Sequence, residues 1–327
     1  MLEPSKLSLI QSPTPLHRLN HLSAELQADL WIKRDDMTGF AAGGNKGRKL
    51  EYLIAKAVDE GATAVVGCGS RQSNFVRQLA GACSVAGLKC SAAVMALPFE
   101  YEEPTHVGLT EENGNDLLNH IFGADIRVYP NLRWEDLFDR AEELALELEA
   151  RGERVLRIPV GGSSPLGAFA FYKAGLELQA QDESTFDWIL FASSSGSTHV
   201  GLQFAFHRST TKVVGIACDP EPEILGDFQQ LYAGLEALVG EARPSPNADW
   251  RLNLDYVGEG YGIPSHGGQA AIRLLARTEG ILLDPVYSGK AFAGLLDLLD
   301  KREIGGRILF WHTGGSPALF ALRPDQI

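Results

Sequence analysis

Gly43-Gly44-Asn45-Lys46-Gly47-Arg48-Lys49-Leu50-Glu51-Tyr52 is a glycine turn that runs directly into an apolar-periodic segment, with Leu50, Leu53, Ile54 and Ala57 at helical spacing. Lys46 stands at the junction. There the positive end of the helix dipole disfavours an ammonium, and an amine that sheds its proton near neutral pH is what Schiff-base chemistry requires. By position alone, a lysine in a first helical turn is more often a solvated side chain. Its neighbours in the fold must decide.

The rest of the chain has the rhythm that such a junction implies. Short β-branched runs alternate with longer helical segments, which predicts βα units and mostly parallel sheets. Strands are expected at 30–33, 64–67, 90–96, 125–129, 155–159, 188–192, 212–217 and 307–311. Helices are expected at 47–60, 73–86, 116–122, 133–151, 167–179, 198–207, 227–239, 268–278 and 289–300. Segments 97–115 and 241–249, rich in proline, read as loops. The 327 residues suggest two α/β domains, a small one at 45–153 and a large one formed by 1–44 and 154–327.

Composition narrows the function. With 45% hydrophobic and 22% charged residues the chain is an ordinary globular protein, and its net charge of -13 argues against nucleic acid or an anionic membrane as partner. No apolar run is long enough to span a bilayer, and residues 1–15 carry no secretory h-region. Cys68, Cys83, Cys90 and Cys218 fit neither a zinc pattern nor a disulfide framework. They read as buried thiols of a reducing compartment, so a cytoplasmic enzyme is expected. His199 and His312 lack a paired ligand at metal spacing, and no metal site is expected.

Sites in open α/β sheets lie beyond the carboxyl ends of strands. After the expected strand 64–67 comes Gly69-Ser70-Arg71-Gln72-Ser73-Asn74, where a helix start offers amides and hydroxyls to a carboxylate; the same residues also suit a plain helix cap. After 188–192 comes Ser193-Ser194-Ser195-Gly196-Ser197-Thr198, the best phosphate cradle in the chain. It lacks the Gly-Lys-Ser/Thr ending that a nucleoside triphosphate site needs. Near the C-terminus, Tyr261 lies in a glycine-rich stretch, and Asp284-Pro285-Val286-Tyr287-Ser288-Gly289-Lys290 and His312-Thr313-Gly314-Gly315 follow apolar runs.

Taken in order, Gly-Gly-Asn-Lys, Gln-Ser-Asn, Gly-Ser-Thr and Asp-Pro-Val-Tyr-x-Gly-Lys resemble the fold type II pyridoxal-phosphate enzymes. The similarity is to the branch of 1-aminocyclopropane-1-carboxylate deaminase and D-cysteine desulfhydrase, and it spans nearly the whole chain, from Pro13-Thr14-Pro15-Leu16 to Gly315. It implies two domains, each with a mostly parallel open twisted sheet, pyridoxal 5'-phosphate in the cleft between them, and a homodimer. Lys46 would hold the cofactor as a Schiff base and then transfer protons. Asn74 would bond its phenolic oxygen, Ser195, Gly196, Ser197 and Thr198 would hold its phosphate, and Thr313 would join the cofactor site. Ser73 and the neighbouring Arg71, Gln72 and Asn74 would receive an amino-acid substrate, with Tyr261 and Tyr287 beside the reacting carbon.

Within that branch, the ring-opening deaminases carry glutamate after the tyrosine matching Tyr287 and leucine in place of Thr313; this chain has Ser288 and Thr313, the desulfhydrase-like pair. A carboxylate at the pyridine nitrogen makes a stronger electron sink than a neutral hydroxyl. Expelling sulfide needs less of that sink than opening a ring, so the expected reaction is α,β-elimination through an aminoacrylate to pyruvate and ammonia. Ring opening, or elimination from cysteate, are the alternatives. Gly47, Arg71 and Phe75 depart from the family pattern. Arg71 would suit an acidic substituent on the substrate, or else solvent. The departures also leave open a cofactor-binding protein that has lost catalysis.

Overall fold

The βα rhythm folds into two sheets. The structure is a computed structural model and describes residues 3–103, 108–109, 112–241, 250–323 and 326. The larger sheet contains β1 (Leu16–Arg18), β2 (Asp29–Arg34), β7 (Trp188–Ser193), β8 (Lys212–Ala217), β9 (Arg251–Asn253) and β10 (Arg307–His312), in the order β1-β2-β10-β7-β8-β9. Its pairings are parallel except β1 with β2. The smaller sheet contains β3 (Ala64–Ser70), β4 (Lys89–Met95), β5 (Asp125–Tyr129) and β6 (Val155–Arg157), all parallel, in the order β5-β4-β3-β6.

The helices are α1 (Asn20–Glu25), α2 (Lys46–Asp59), α3 (Asn74–Ala86), α4 (Asn115–Ile121), α5 (Trp134–Ala150), α6 (Pro165–Gln181), α7 (Ser197–Ala205), α8 (Ile224–Val239), α9 (His266–Glu279) and α10 (Ser288–Asp300). Because helices cover both faces of a parallel sheet, its central strands are apolar throughout. Every residue of β3 is buried. One core packs α9 and α10 on the larger sheet through Ile272, Leu275, Phe292 and Leu295; another packs α2 and α3 on the smaller one through Leu50, Ile54, Val76 and Leu79.

All eight expected strands and nine expected helices are present, with ends displaced by a few residues. Among the described residues, β1, α1 and β9 were not foreseen, nor were the short 3-10 turns Asp35–Met37, Val160–Gly162 and Ser316–Ala321; each has six residues or fewer and is too short to display a period. The expected domain boundary at 153/154 also shifts. β6 lies beyond it yet pairs with β3, because the register Ala64 to Val155 completes the smaller sheet. The chain therefore returns to the larger sheet only after β6. Of the second expected loop, positions 242–249 lie outside the described residues.

Candidate active site

Lys46 is the first residue of α2, and the turn behind it anchors the helix. Arg48 is buried and clasps Asp35 at the end of β2 (2.8 Å) and Glu177 on α6 (2.8 Å). Lys33 joins Glu177 at 2.6 Å. Buried charges need such mutual pairing to offset lost hydration. The Glu177 carboxyl is accordingly held down at about 2, chiefly by Arg48 against the opposing effect of burial.

The Lys46 amine donates to Asn45 Oδ1 at 3.1 Å. It faces a cavity but is enclosed by protein, and burial lowers its pKa to about 8, partly countered by Cys218 and Asp284 and reinforced by Arg77. Desolvation is thus the principal cause, where sequence reasoning had invoked the helix dipole.

The cavity is lined by Asn45, Lys46, Lys49, Asn74, Ser193 to Gly196, Thr198, Tyr287 and Thr313. Its floor is the start of α7, where backbone amides have no intrahelical acceptor. Asn45 Nδ2 donates to Thr198 Oγ1 at 3.3 Å, fastening α2 to α7. Ser197 Oγ is buried and has no hydrogen-bond partner among the described residues. Lys49 was not foreseen. Its amine donates to Gly161 O at 3.1 Å, and burial beside Lys46 pushes its pKa well below that of an ordinary lysine. The signal lay in the opening stretch, since residues three apart share a helix face.

On the opposite wall the Tyr261 and Tyr287 hydroxyls share a short hydrogen bond, and Tyr261 reaches Ser70 Oγ at 3.1 Å. Burial raises both phenols, Tyr261 to about 12, so both remain protonated at neutral pH. Asp284, which the motif includes without a role, builds the turn beneath them. Its Oδ2 accepts from the Val286 and Tyr287 amides at 2.9 Å, and its Oδ1 accepts from the Ser288 amide at 2.8 Å and the Ser288 hydroxyl at 2.5 Å. Ser288 is wholly buried. His312 accepts from the Gly314 amide at Nδ1 and lies 2.9 Å from Leu282 O at Nε2, a tautomer that orders the turn after β10. His199 is enclosed by Phe191, Phe228 and Trp250, and burial lowers its pKa to about 3, so it is a neutral core residue.

The loop between β3 and α3 requires two corrections. Ser73 caps α3, its Oγ accepting from Val76 N at 3.3 Å, and its hydroxyl hydrogen is left to donate. Arg71, however, turns to α4, with Glu112 at 2.9 Å and the buried Asp116 at 3.1 Å. A guanidinium committed to two carboxylates is not presented to a substrate. The Gln72 side chain turns the same way, donating to Asn113 O (2.9 Å) and accepting from Asn115 N (3.0 Å). Where substrate contacts were expected of these two side chains, the structure shows contacts that hold the loop.

This donor set fits pyridoxal phosphate. Helix N-terminal residues Gly196 and Thr198 and the nearby Lys49, all lining the cavity, suit a phosphate dianion; a desolvated amine suits its aldehyde. The family described as "Pyridoxal-phosphate dependent enzyme" matches residues 7–314. The chain belongs to that family. It is 41% identical to the D-cysteine desulfhydrases of Salmonella newport and Salmonella typhi, over 98% of its own length and 96% of theirs. A solved ACC deaminase homologue superposes with a TM-score of 0.88 at 36% identity, covering 97% of this chain and 94% of that one. O-ureido-L-serine synthase, at 16% identity and a TM-score of 0.66, shares the fold. The two-sheet α/β architecture expected from the motifs is therefore that of this chain, and its cofactor is pyridoxal phosphate.

Proposed function

We propose that the chain is a carbon–sulfur lyase that converts D-cysteine and water to pyruvate, ammonia and hydrogen sulfide. The observation that carries this reading is the shared cavity of Lys46, Tyr287 and Thr313, with a hydroxyl, already engaged by Asp284, at position 288. The likeness to D-cysteine desulfhydrases supports it.

Bound in this cavity, pyridoxal phosphate supplies the electron sink for carbanion chemistry at the substrate Cα. Lys46 would hold the cofactor covalently and, as a free amine, would take the Cα proton; burial, which lowers its pKa to about 8, makes that form accessible near neutral pH. The amides and hydroxyls of Ser195, Gly196, Ser197 and Thr198 hold the phosphate, with Lys49 behind them. Asn74 would donate to the phenolic oxygen of the cofactor, and Thr313, which lines the same cavity, would complete its site. Ser73 and the amides of its loop receive the substrate carboxylate. Tyr261 and Tyr287, protonated and bonded to each other, orient the β-substituent, and one phenol delivers a proton to the departing Sγ. The small amino acid is the partner; nucleic acid and membrane are not part of this reading. No helix among the described residues is long and apolar enough to cross a bilayer.

Ring opening of 1-aminocyclopropane-1-carboxylate is the second reading, favoured by the likeness to the ACC deaminase homologue. A panel of D-cysteine, L-cysteine, cysteate, β-chloroalanine and 1-aminocyclopropane-1-carboxylate, assayed for 2-oxo acid and sulfide, separates the two. Sulfide and pyruvate from D-cysteine support the lyase; 2-oxobutyrate as the dominant product overturns it. Cofactor binding with no keto acid from any of the five substrates would instead identify a protein that has lost catalysis.

The reading includes a homodimer in the cytoplasm. Exposed Leu117 and Ile121, one turn apart on α4, supply apolar surface for a second copy, and four buried free cysteines suit a reducing compartment. Sedimentation at micromolar concentration tests the dimer.

A further inference from the structure

Asn115 opens α4, far in sequence from the cofactor motifs, and is completely buried. Its side-chain nitrogen lies 2.8 Å from Gln72 O and 3.0 Å from Asn74 Oδ1. Gln72 O is a backbone carbonyl and can only accept. The Asn115 amide must therefore present its NH2 group to this site, because the reversed amide would set oxygen against oxygen. Asn74 must then present Oδ1 to Asn115, and its own NH2 turns toward the cavity that it lines with Lys46. A fixed acceptor thus determines two amide orientations in series.

The segment before Asn115 is built to deliver it. Gly114 has φ +57°, and a Cβ there would lie 2.5 Å from Pro317 O and 2.9 Å from Gln72 Oε1, so only glycine lets α4 begin against the loop. The Asn115 amide closes the ring by donating to Gln72 Oε1.

We propose that Asn115 is a positioning residue that holds Asn74 as a hydrogen-bond donor to the phenolic oxygen of the cofactor. The inference rests on the role given to Asn74 above. An acceptor turned to the same place would repel an oxygen that carries negative charge, so the orientation sets the affinity for the cofactor and the basicity of the bound group.

The test is a double-mutant cycle read on the cofactor dissociation constant and on the pH titration of the bound cofactor's visible absorption. Asn115→Ala is expected to weaken binding about tenfold, the effect of one lost charge-assisted contact. Asn115→Asp is expected to weaken it further, because an acceptor-only carboxylate draws the Asn74 NH2 away from the cavity. Both move the titration midpoint upward, which a purely structural defect does not. In an Asn74→Ala background neither substitution has a further effect. Asn115→Ser, which keeps a polar group at the buried position, serves the same cycle if the alanine variant does not fold. Undiminished losses in the Asn74→Ala background overturn the proposal and leave the site intact. Wild-type affinity in Asn74→Ala alone overturns both the role of Asn74 and that of Asn115.

Discussion

Gly314 lies so close to Gly44 that a Cβ on Gly314 would stand 2.5 Å from the Gly44 Cα. The two glycines belong to the turn after β10 and the turn before α2, and Thr313 O accepts from Asn45 N at 3.0 Å between them. This contact presses the turn before Lys46 against the end of the larger sheet. Gly314 also has φ +93°, which a side chain disfavours.

Gly314→Ala should therefore cost roughly 1–3 kcal/mol of stability through overpacking and backbone strain. It should also reduce bound cofactor, because Lys46 and Thr313 move apart. Urea unfolding and cofactor absorbance measure the two effects. Wild-type values for both would mean that the turns yield freely.

The Lys46 amine, at about 8, is depressed below the ordinary lysine value by burial. Below pH 8 it is charged in both the folded and unfolded states, and the folded protein bears the full cost of burying it. Between about pH 8 and the unfolded value near 10.4 the unfolded chain binds more protons, so stability rises with pH in that window. In cofactor-free protein, Lys46→Met should thus be stabilising at pH 7 by roughly 1–3 kcal/mol, with the gain shrinking as pH rises toward 10. Urea unfolding at several pH values provides the measurement. A gain that grows with pH would contradict burial as the cause.

Ser288→Glu combined with Thr313→Leu should create ring-opening activity and lower sulfide release from D-cysteine at least about tenfold, a change of 1.4 kcal/mol in barrier. Because Ser288 donates to Asp284, the new carboxylate meets a buried carboxylate, and the variant should also melt at lower temperature. If 2-oxobutyrate formation is unchanged, positions 288 and 313 do not select the reaction.

Arg71→Ala leaves Asp116 buried with a missing cation and should lose roughly 1–3 kcal/mol of stability. Its kcat/KM values for D-cysteine and for cysteate should fall in parallel, as Arg71 acts through the loop. A selective loss on cysteate would show that the arginine reads acidic substrates after all.

The strands and helices were legible because each long element repeats its apolar period several times, as in the α2 stretch Leu50, Leu53, Ile54 and Ala57. The family was legible because its motifs of glycine and hydroxyl residues cluster where strands pass into helices. The partners of Arg71 and Gln72 were not legible, for a physical reason. A side chain in a loop has several directions open to it, and only the packing of α4 selects one. Asn115 carried no motif of its own, and Asp284 stood in a quoted motif without a role; the value of both comes from hydrogen bonds to residues far away in the chain or hidden within a turn. Lys49 lay in plain view, one helical turn from Lys46.

The chain passes from the larger sheet to the smaller through the turn that bears Lys46, and returns after β6 through the segment containing Gly161. The Lys49 bond to Gly161 O ties the outward passage to the return. Neither half of the molecule can therefore own the site. A nascent chain that has not yet emerged past α7 has its lysine but no floor beneath it. On the proposed reading, capture of the cofactor should be a late event in the life of the polypeptide, and a fragment or split version should regain it only by reassembling both passages.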